Sequence, residues 1–151
     1  MGLSRVYAVH DVQEQADVRL GMNQSVLSHG RTGNPGAGEA DQSSHEMVAL
    51  LFDRILEKVA EAKDAIEYRN LKFKGELLGS AIAIIDGIRE SLDFEQGGDV
   101  AYNLSFLYDY IERLLVEANV LGDTMLLDEV SEMLEELKSG RQPLPRDMRL
   151  V

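Results

Sequence analysis

The apolar residues of segment 99–121 recur in alternating steps of four and three positions. This spacing keeps their side chains on one face of an α-helix and is typical of a helix that packs lengthwise against other helices. No alternation with a period of two, which a half-buried β-strand needs, competes with it. We therefore predict a long amphipathic helix. Its stripe consists of Val100, Leu104, Leu107, Ile111, Leu114 and Ala118.

A second stripe with the same spacing lies upstream and predicts another helix, from Ser43 to about Tyr68. Ser43 and Glu46 have the spacing of a capping box, in which both side chains accept hydrogen bonds from the backbone at the helix start. This stripe consists of Val48, Phe52, Ile55, Val59, Ala62 and Ile66. The two helices are therefore expected to share one mode of packing.

Between these helices, the segment from about Leu71 to Leu92 is apolar over a face too broad for a single stripe. It also has small residues at every fourth position, namely Gly75, Gly79, Ala83 and Gly87. Glycine inside a helix costs about 1 kcal/mol relative to alanine, so the row favours a close approach by another backbone. Two interpretations remain open: tight packing within the bundle, or the floor of a groove for a bound peptide.

Short connections separate the helical segments. Gly97-Gly98 precedes the helix that opens at Asp99, and Asp123 is a suitable N-cap for a fourth helix that ends near Gly140. The stripe of this fourth helix consists of Leu126, Val130, Met133 and Leu137. Helices joined by short links pack as antiparallel neighbours. We therefore predict an all-α protein built as an antiparallel up-down four-helix bundle.

The bundle is expected to span residues 43–140. Before it lies a flexible N-terminal arm, residues 1–42, which is rich in glycine and has a short helical pattern between residues 10 and 20. After it lies an irregular tail, residues 141–151, in which two prolines disfavour regular structure.

The chain of 151 residues has a formal net charge of −12, and the acidity is concentrated in the bundle. Residues 44–140 carry a net −12, whereas the first 43 residues carry −2 and the tail carries +2. A surface of this sign repels phosphate, so neither nucleic acid nor an anionic membrane is an expected partner. The absence of cysteine, of a run of about 18 apolar residues and of a secretory signal favours a cytoplasmic protein.

The sequence contains no recognisable catalytic or metal-binding constellation. A carboxylate-bridged metal site in a helical bundle needs Glu-x-x-His motifs, and none of the three histidines follows a glutamate at that distance. There is no cysteine for a metal site or a thiol nucleophile, and no Gly-x-Ser-x-Gly or phosphate-binding glycine loop. The acidic pairs Asp128-Glu129 and Glu135-Glu136 are interpreted as a solvated helix face. We predict no enzyme activity, no metal and no cofactor.

Aromatic residues cluster on the predicted third helix. Tyr102, Phe106, Tyr108 and Tyr110 are four of the nine aromatic residues in the chain. Tyr108 is assigned to the core. Phe106 and Tyr110 are four positions apart and off the stripe, which is the spacing of anchors for a partner. The surface of this helix is therefore the main candidate for a binding site.

Residues 91–119, SLDFEQGGDVAYNLSFLYDYIERLLVEAN, resemble the FliS family of flagellin-specific export chaperones. The matching residues are Ser91-Leu92-Asp93, Gly97-Gly98, Asn103-Leu104, Leu107-Tyr108-Asp109-Tyr110, Arg113-Leu114 and Ala118-Asn119. LLFDRILEKVAEAKDAIE and LDEVSEMLEELKSG resemble the family's first and fourth helices, so the resemblance covers Ser43 to Gly140. The chain departs from the family pattern at Ser44, where proline is common, and at Arg141, where an aromatic residue is frequent. Tyr7 is the one candidate for a tyrosine that the family carries near its start.

The resemblance implies a cytoplasmic binding protein that holds the disordered C-terminal segment of flagellin. It prevents premature polymerisation of flagellin and supports delivery to the flagellar export apparatus. We expect a monomer or a weak dimer, with an arm (residues 1–40) that folds back over the groove when no partner is bound. Asn103 is expected to hydrogen-bond the partner backbone, and the other groove residues to make apolar contacts. The predicted groove residues are Ile82, Ile85, Asn103, Phe106, Leu107 and Tyr110. The alternative is a helical-bundle adaptor or regulatory protein that binds another helical partner.

Overall fold

The computed structural model of the chain describes Tyr7 and residues 37–148. The described region contains four α-helices and one short 3-10 turn at Arg146–Met148. The helices are α1 (Ala37–Glu67), α2 (Leu71–Glu90), α3 (Phe94–Leu121) and α4 (Thr124–Lys138). α1 packs against α2 and α4, and α3 packs against the same two helices. This arrangement confirms the predicted all-α four-helix bundle.

The start of α1 differs from the prediction. The helix begins at Ala37, so Ser43 lies inside it and the predicted capping box does not mark its first turn. The end near Tyr68 is confirmed, since α1 stops at Glu67. Asn70 then caps α2, and its side-chain oxygen accepts a hydrogen bond from Phe73 N at 3.2 Å.

The Gly97-Gly98 pair forms a kink within α3 and does not precede it. Asp93 caps the helix, and its Oδ1 accepts hydrogen bonds from the backbone N–H groups of Glu95 and Gln96 at 3.1 Å each. Gly98 has φ 51° and ψ −132°, outside the helical region. A positive φ is readily adopted by glycine and costs other residues strain. Gly98 therefore changes the direction of the helix where the sequence predicted a break.

The predicted stripes form the core. Phe52, Ile55, Leu104 and Ile111 are fully buried. Three stripes each have a half-buried residue at one end: Ile66, Val100 and Leu126. Complete burial of such a side chain contributes about 1.5–3 kcal/mol. α4 also conforms to its prediction. Asp123 Oδ1 accepts from Met125 N at 2.9 Å, and the residues of its stripe are buried except at the first position, Leu126.

The row of small residues on α2 does not serve close packing throughout. A Cβ atom added at Gly75 or at Gly79 would meet no neighbouring atom within 4 Å. Tight packing within the bundle therefore does not account for these two glycines, and the α2 surface beside them is open.

Tyr7 is packed into the core of the bundle. Its backbone forms an isolated antiparallel bridge with Leu92, and its ring is buried. Its hydroxyl group hydrogen-bonds that of Tyr108, which the sequence correctly assigned to the core. Apart from Tyr7, the predicted arm up to residue 36, including its short helix and its cover over the groove, lies outside the described residues.

Candidate partner-binding surface

The six predicted groove residues occupy two different environments. Ile85, Leu107 and Tyr110 belong to the hydrophobic core and are 0%, 5% and 5% exposed, respectively. In this conformation, their side chains offer little surface to a partner. They face inward because each packs against a neighbouring helix within the same apolar cluster.

The other three predicted residues reach the surface. Phe106 is 44% exposed, Asn103 is exposed, and Ile82 is half-buried against the core. Asn103 Nδ2 donates a hydrogen bond of 3.4 Å to Gln142 Oε1 in the tail. Asn103 therefore already has a polar partner within the chain.

Exposed aromatic side chains form a strip at the first half of α3. Phe94 and Tyr102 are in contact, with ring centroids 4.6 Å apart, and they are 39% and 63% exposed. Phe106 follows Tyr102 by one helical turn and so lies on the same face. We call these three residues the aromatic strip. Of these three, only Phe106 was predicted as a groove residue. The sequence placed Tyr102 in the same aromatic cluster and missed Phe94, since the kink at Gly98 separates Phe94 from the regular helix.

The tail covers the surface between α3 and α4. After Gly140, residues 141–148 run back along α4, as their contacts show: Gln142 meets Asn103 on α3, and Arg146 meets Glu129 and Glu132 on α4. We call the surface beneath these residues the tail groove. Pro143 and Pro145 are buried in it, whereas the side chain of Leu144 between them is exposed.

Glu129 is the central polar residue of the tail groove. It is only 4% exposed, and its Oε2 accepts two hydrogen bonds. One comes from the Tyr110 hydroxyl at 2.7 Å, and the other comes from the backbone N–H of Arg146 at 2.9 Å. A buried carboxylate is tolerated only when such donors replace water. The prediction that Glu129 lies on a solvated face is therefore wrong.

A sequence signal for this position does exist. Glu129 lies three positions after Leu126 and four before Met133, which places it beside the apolar stripe of α4. Its neighbour Asp128 lies on the more exposed side, where its Oδ1 is 2.5 Å from Lys63 Nζ. The helical spacing therefore places Glu129 on the core-facing side of α4 and Asp128 on the more exposed side.

Past Arg146, the groove continues into an open pocket of about 410 Å³. We call it the end pocket. Leu114 of α3 and Leu126 of α4 provide its apolar walls, and Glu129 and Arg146 stand at its border with the tail. Arg113 also lines it and lies over the Tyr110 ring, 5.5 Å from the centroid. Residues 141–148 therefore fill only part of the space between α3 and α4.

A separate apolar surface lies on the second half of α3. Val116, Val120 and Leu121 are 51%, 76% and 63% exposed, and they line a shallow groove of about 650 Å³. Asp109, Glu112, Arg113 and Glu117 line the same groove. This surface was not predicted from the sequence, although Val116 and Val120 are one turn apart and off the stripe.

Charged residues of α2 and α3 meet beside this groove. Arg89 lies 2.9 Å from Asp86 and 3.1 Å from Glu112. Glu112 Oε2 is buried but accepts no hydrogen bond from the described residues, so its contact with Arg89 is an ion pair only. The pKa of Glu112 is raised to about 7, mainly by burial. A side-chain hydrogen bond with Asp86 and the negative charge of Asp86 act in the same direction.

The described part of the chain offers no metal centre. Among the described side chains, those of Tyr7 and of residues 46–148 apart from position 147, no group of three or more histidine, aspartate or glutamate residues could hold a metal ion. No helix in the same part of the chain is long and apolar enough to cross a membrane.

These features define an all-α, antiparallel four-helix bundle protein whose third helix exposes aromatic side chains. The family model described as flagellar protein FliS matches residues 37–142 of the chain. The chain belongs to the FliS family.

Curated relatives match about two thirds of the chain. The flagellar secretion chaperone FliSB of Pseudomonas aeruginosa is 50% identical over 101 residues, which are 67% of this chain and 80% of the relative. The flagellar secretion chaperone FliS of Vibrio cholerae is 38% identical over 103 residues, or 68% and 76% of the two chains. That of Salmonella typhimurium is 40% identical over 96 residues, or 63% and 71%.

Proposed function

We propose that this chain is a cytoplasmic flagellar export chaperone that holds the disordered C-terminal segment of flagellin. In this role it prevents premature polymerisation of flagellin and supports its delivery to the flagellar export apparatus. The observation that carries the proposal is the exposed aromatic strip, Phe94, Tyr102 and Phe106, on the bundle of a FliS family member. The three relatives described above are all named flagellar secretion chaperones, which supports the same role.

The aromatic strip has the physical character of a binding surface. Single exposed apolar residues are common on proteins, but a contiguous group of large rings indicates a surface that another molecule covers. Tyrosine and phenylalanine supply large contact areas at a low cost in side-chain entropy. A guest that is disordered alone loses about 2–5 kcal/mol or more on ordering, so it needs apolar contacts of this kind.

The open face of α2 offers a second contact for the same guest. Nothing lies within 4 Å of a Cβ atom built at Gly75 or Gly79, so another backbone can approach the helix closely there. Half-buried Ile82 follows on this helix. Of the six residues named from the sequence, Ile82, Asn103 and Phe106 are proposed as direct contacts. Ile85, Leu107 and Tyr110 contact a guest only if neighbouring segments move.

The acidic bundle favours a protein guest over nucleic acid. Residues 44–140 carry a net charge of −12, which repels phosphate groups at long range. We propose that the chain acts as a monomer or weak dimer, without cofactor or catalytic activity. Its work is binding alone.

The test is calorimetric titration of the flagellin C-terminal segment into the wild-type chain and into the double variant Tyr102→Ala, Phe106→Ala. Loss of two aromatic anchors is expected to weaken binding by about tenfold or more. The matched control is Tyr68→Ala, since Tyr68 is 83% exposed but lies at the end of α1. The control should bind as the wild type does.

Two results would contradict the proposal. If the wild-type chain does not bind the flagellin segment, the assigned partner is wrong. If the double variant is folded and binds with unchanged affinity, the aromatic strip is not the site. Far-UV circular dichroism of both variants establishes that the bundle is intact.

A further inference from the structure

The tail lies on the bundle in the manner of a bound extended peptide. Pro143 and Pro145 are buried, and Leu144 between them is 52% exposed, so alternate residues face the groove. Residues 141–145 have no regular secondary structure. Proline fixes φ near that of an extended polyproline conformation, which lowers the entropy lost when such a segment binds. The tail groove therefore accommodates an extended chain with apolar residues at alternate positions.

Polar contacts fix the register of the tail. The backbone N–H of Arg146 donates to buried Glu129 at 2.9 Å, and Arg146 Nη2 lies 2.5 Å from Glu132 Oε2. At the other end, Asn103 bonds Gln142, and Arg141 Nε lies 3.8 Å from Glu136. Residues 141–148 have a net charge of +1 and residues 44–140 a net −12, so their charges are complementary.

This attachment is compatible with exchange. Its ion pairs, Arg146–Glu132 and Arg141–Glu136, involve partly exposed side chains, and ion pairs of this kind contribute little to stability and are weakened by salt. The described tail adds no strand or α-helix to the bundle. Removal of the tail would thus leave the four helices in contact with one another.

The space available exceeds what residues 141–148 occupy. The end pocket of about 410 Å³ continues the groove beyond Arg146, between Leu114 and Leu126. A longer extended segment could therefore make the contacts of the tail and fill this pocket as well. Such a segment gains apolar contact that residues 141–148 do not make.

We propose that the tail groove is a peptide-binding site, that residues 141–148 are its resting occupant, and that the guest displaces them. The guest chemistry follows from the contacts: an extended segment with apolar residues at alternate positions, an N–H group for Glu129 and a basic side chain for Glu132. Its length must also reach the end pocket. The inference rests on the proposed function only in taking the flagellin C-terminal segment as this guest.

The first experiment follows the tail directly in the full chain. The protein has no cysteine, so Met148→Cys provides a single site for a nitroxide label beside the last anchor, with Tyr68→Cys as the control site. Saturating flagellin C-terminal segment should convert the label at position 148 from a restricted to a mobile spectrum and leave the label at position 68 unchanged. If the segment binds and the label at 148 stays restricted, the displacement is disproved.

The second experiment tests the groove without flagellin. Pro143→Asp plus Pro145→Asp in the full chain places two negative charges against the acidic bundle and should release the tail. A fluorescent peptide of residues 141–148 should then bind this variant at least tenfold more tightly than it binds the wild type. Leu144→Asp is the matched control, because that exposed position adds a charge outside the groove; it should behave as wild type.

The outcomes separate this inference from the proposed function. If the folded double variant fails to bind the tail peptide, the groove is not a peptide site, whatever flagellin does. If the variant binds the tail peptide but no chain binds the flagellin segment, the groove stands and flagellin is the wrong guest. If flagellin binds the wild type and the double variant equally, the tail does not compete with it and the inference is overturned.

Discussion

The hydroxyl groups of Tyr7 and Tyr108 hydrogen-bond to each other inside the bundle, across 101 positions of the chain. Tyr7 is 3% exposed and Tyr108 is fully buried. Burial raises the pKa of both hydroxyl groups, so both stay protonated at neutral pH. Each hydroxyl group depends on the other, because a buried polar group without a partner is costly. This pair connects the N-terminal part of the chain to the middle of α3.

The first prediction is a double-mutant cycle on this pair. Tyr7→Phe or Tyr108→Phe alone leaves one buried hydroxyl group unpaired and should lower the free energy of unfolding by about 1–3 kcal/mol. Removing both hydroxyl groups should cost less than the sum of the single changes, since neither partner is then left unpaired. Urea denaturation of the four proteins measures the coupling. Strict additivity would show that the hydroxyl groups do not interact.

The second prediction concerns pH. The pKa of Glu112 is raised from its ordinary 4.5 to about 7, so the folded chain holds this proton more tightly than the unfolded chain does. The stability contributed by this group is complete below pH 4.5 and is lost as the pH rises through about 7. Glu112→Gln should remove this loss and stabilise the chain at pH 8 relative to wild type, by on the order of 1 kcal/mol.

Thermal melts between pH 5 and pH 8 measure this effect. The matched control is Glu117→Gln, at an exposed position on the same helix that also lines the shallow groove. The control variant should retain the wild-type pH dependence. If Glu112→Gln retains it too, the titration of Glu112 does not govern stability in this range.

The third prediction concerns the anchor of the tail. Glu129→Ala removes the acceptor for both Tyr110 and Arg146 and should lower the free energy of unfolding by about 1–3 kcal/mol. Glu129→Gln keeps a carbonyl oxygen at the same place and should cost less. Chemical denaturation measures both changes. Equal losses for the two variants would mean that the hydrogen bonds at this oxygen contribute little.

The fourth prediction compares glycines in two conformations. Gly79→Ala should stabilise the chain by about 0.5–1 kcal/mol, because alanine favours the helix and the added methyl group meets no atom within 4 Å. Gly98→Ala should destabilise the chain by about 1 kcal/mol or more, because φ is 51° there. Melting temperatures of the two variants should therefore move in opposite directions. A rise for Gly98→Ala would contradict the kinked geometry.

The sequence was most informative where structure is local and periodic. Steps of four and three residues place side chains on one helical face, and those of Leu104, Ile111 and Val130 are indeed buried. The two ends of α4 were also predicted correctly: Asp123 caps its start, and the helix ends just before Gly140. Both depend on residues that are near neighbours in the chain. The exceptions are the starts of α1 and α3. Ser43 has the residue type and spacing of a cap although the helix has already begun at Ala37, and α3 begins at Phe94, before the predicted start at Asp99.

Contacts between distant parts of the chain could not be predicted in the same way. The insertion of Tyr7 beside Tyr108 and the course of the tail over Tyr110 have no periodic signature, since each joins segments far apart in sequence. The burial of Ile85 and Leu107, both proposed as groove residues, depends on which faces neighbouring helices cover. Their apolar character is equally compatible with a core and with a binding surface. Whether these residues meet a guest stays a prediction.

Glu129 Oε2 allows the tail groove to select the register in which a segment binds. This oxygen accepts one hydrogen bond from the Tyr110 hydroxyl and one from the main-chain N–H of Arg146. An incoming segment with proline at that position has no backbone N–H to donate, so Glu129 Oε2 keeps only one of its two hydrogen bonds. A segment shifted by one residue would also turn its apolar side chains away from the groove. The carboxylate thus favours a single alignment of an arriving strand over its neighbours.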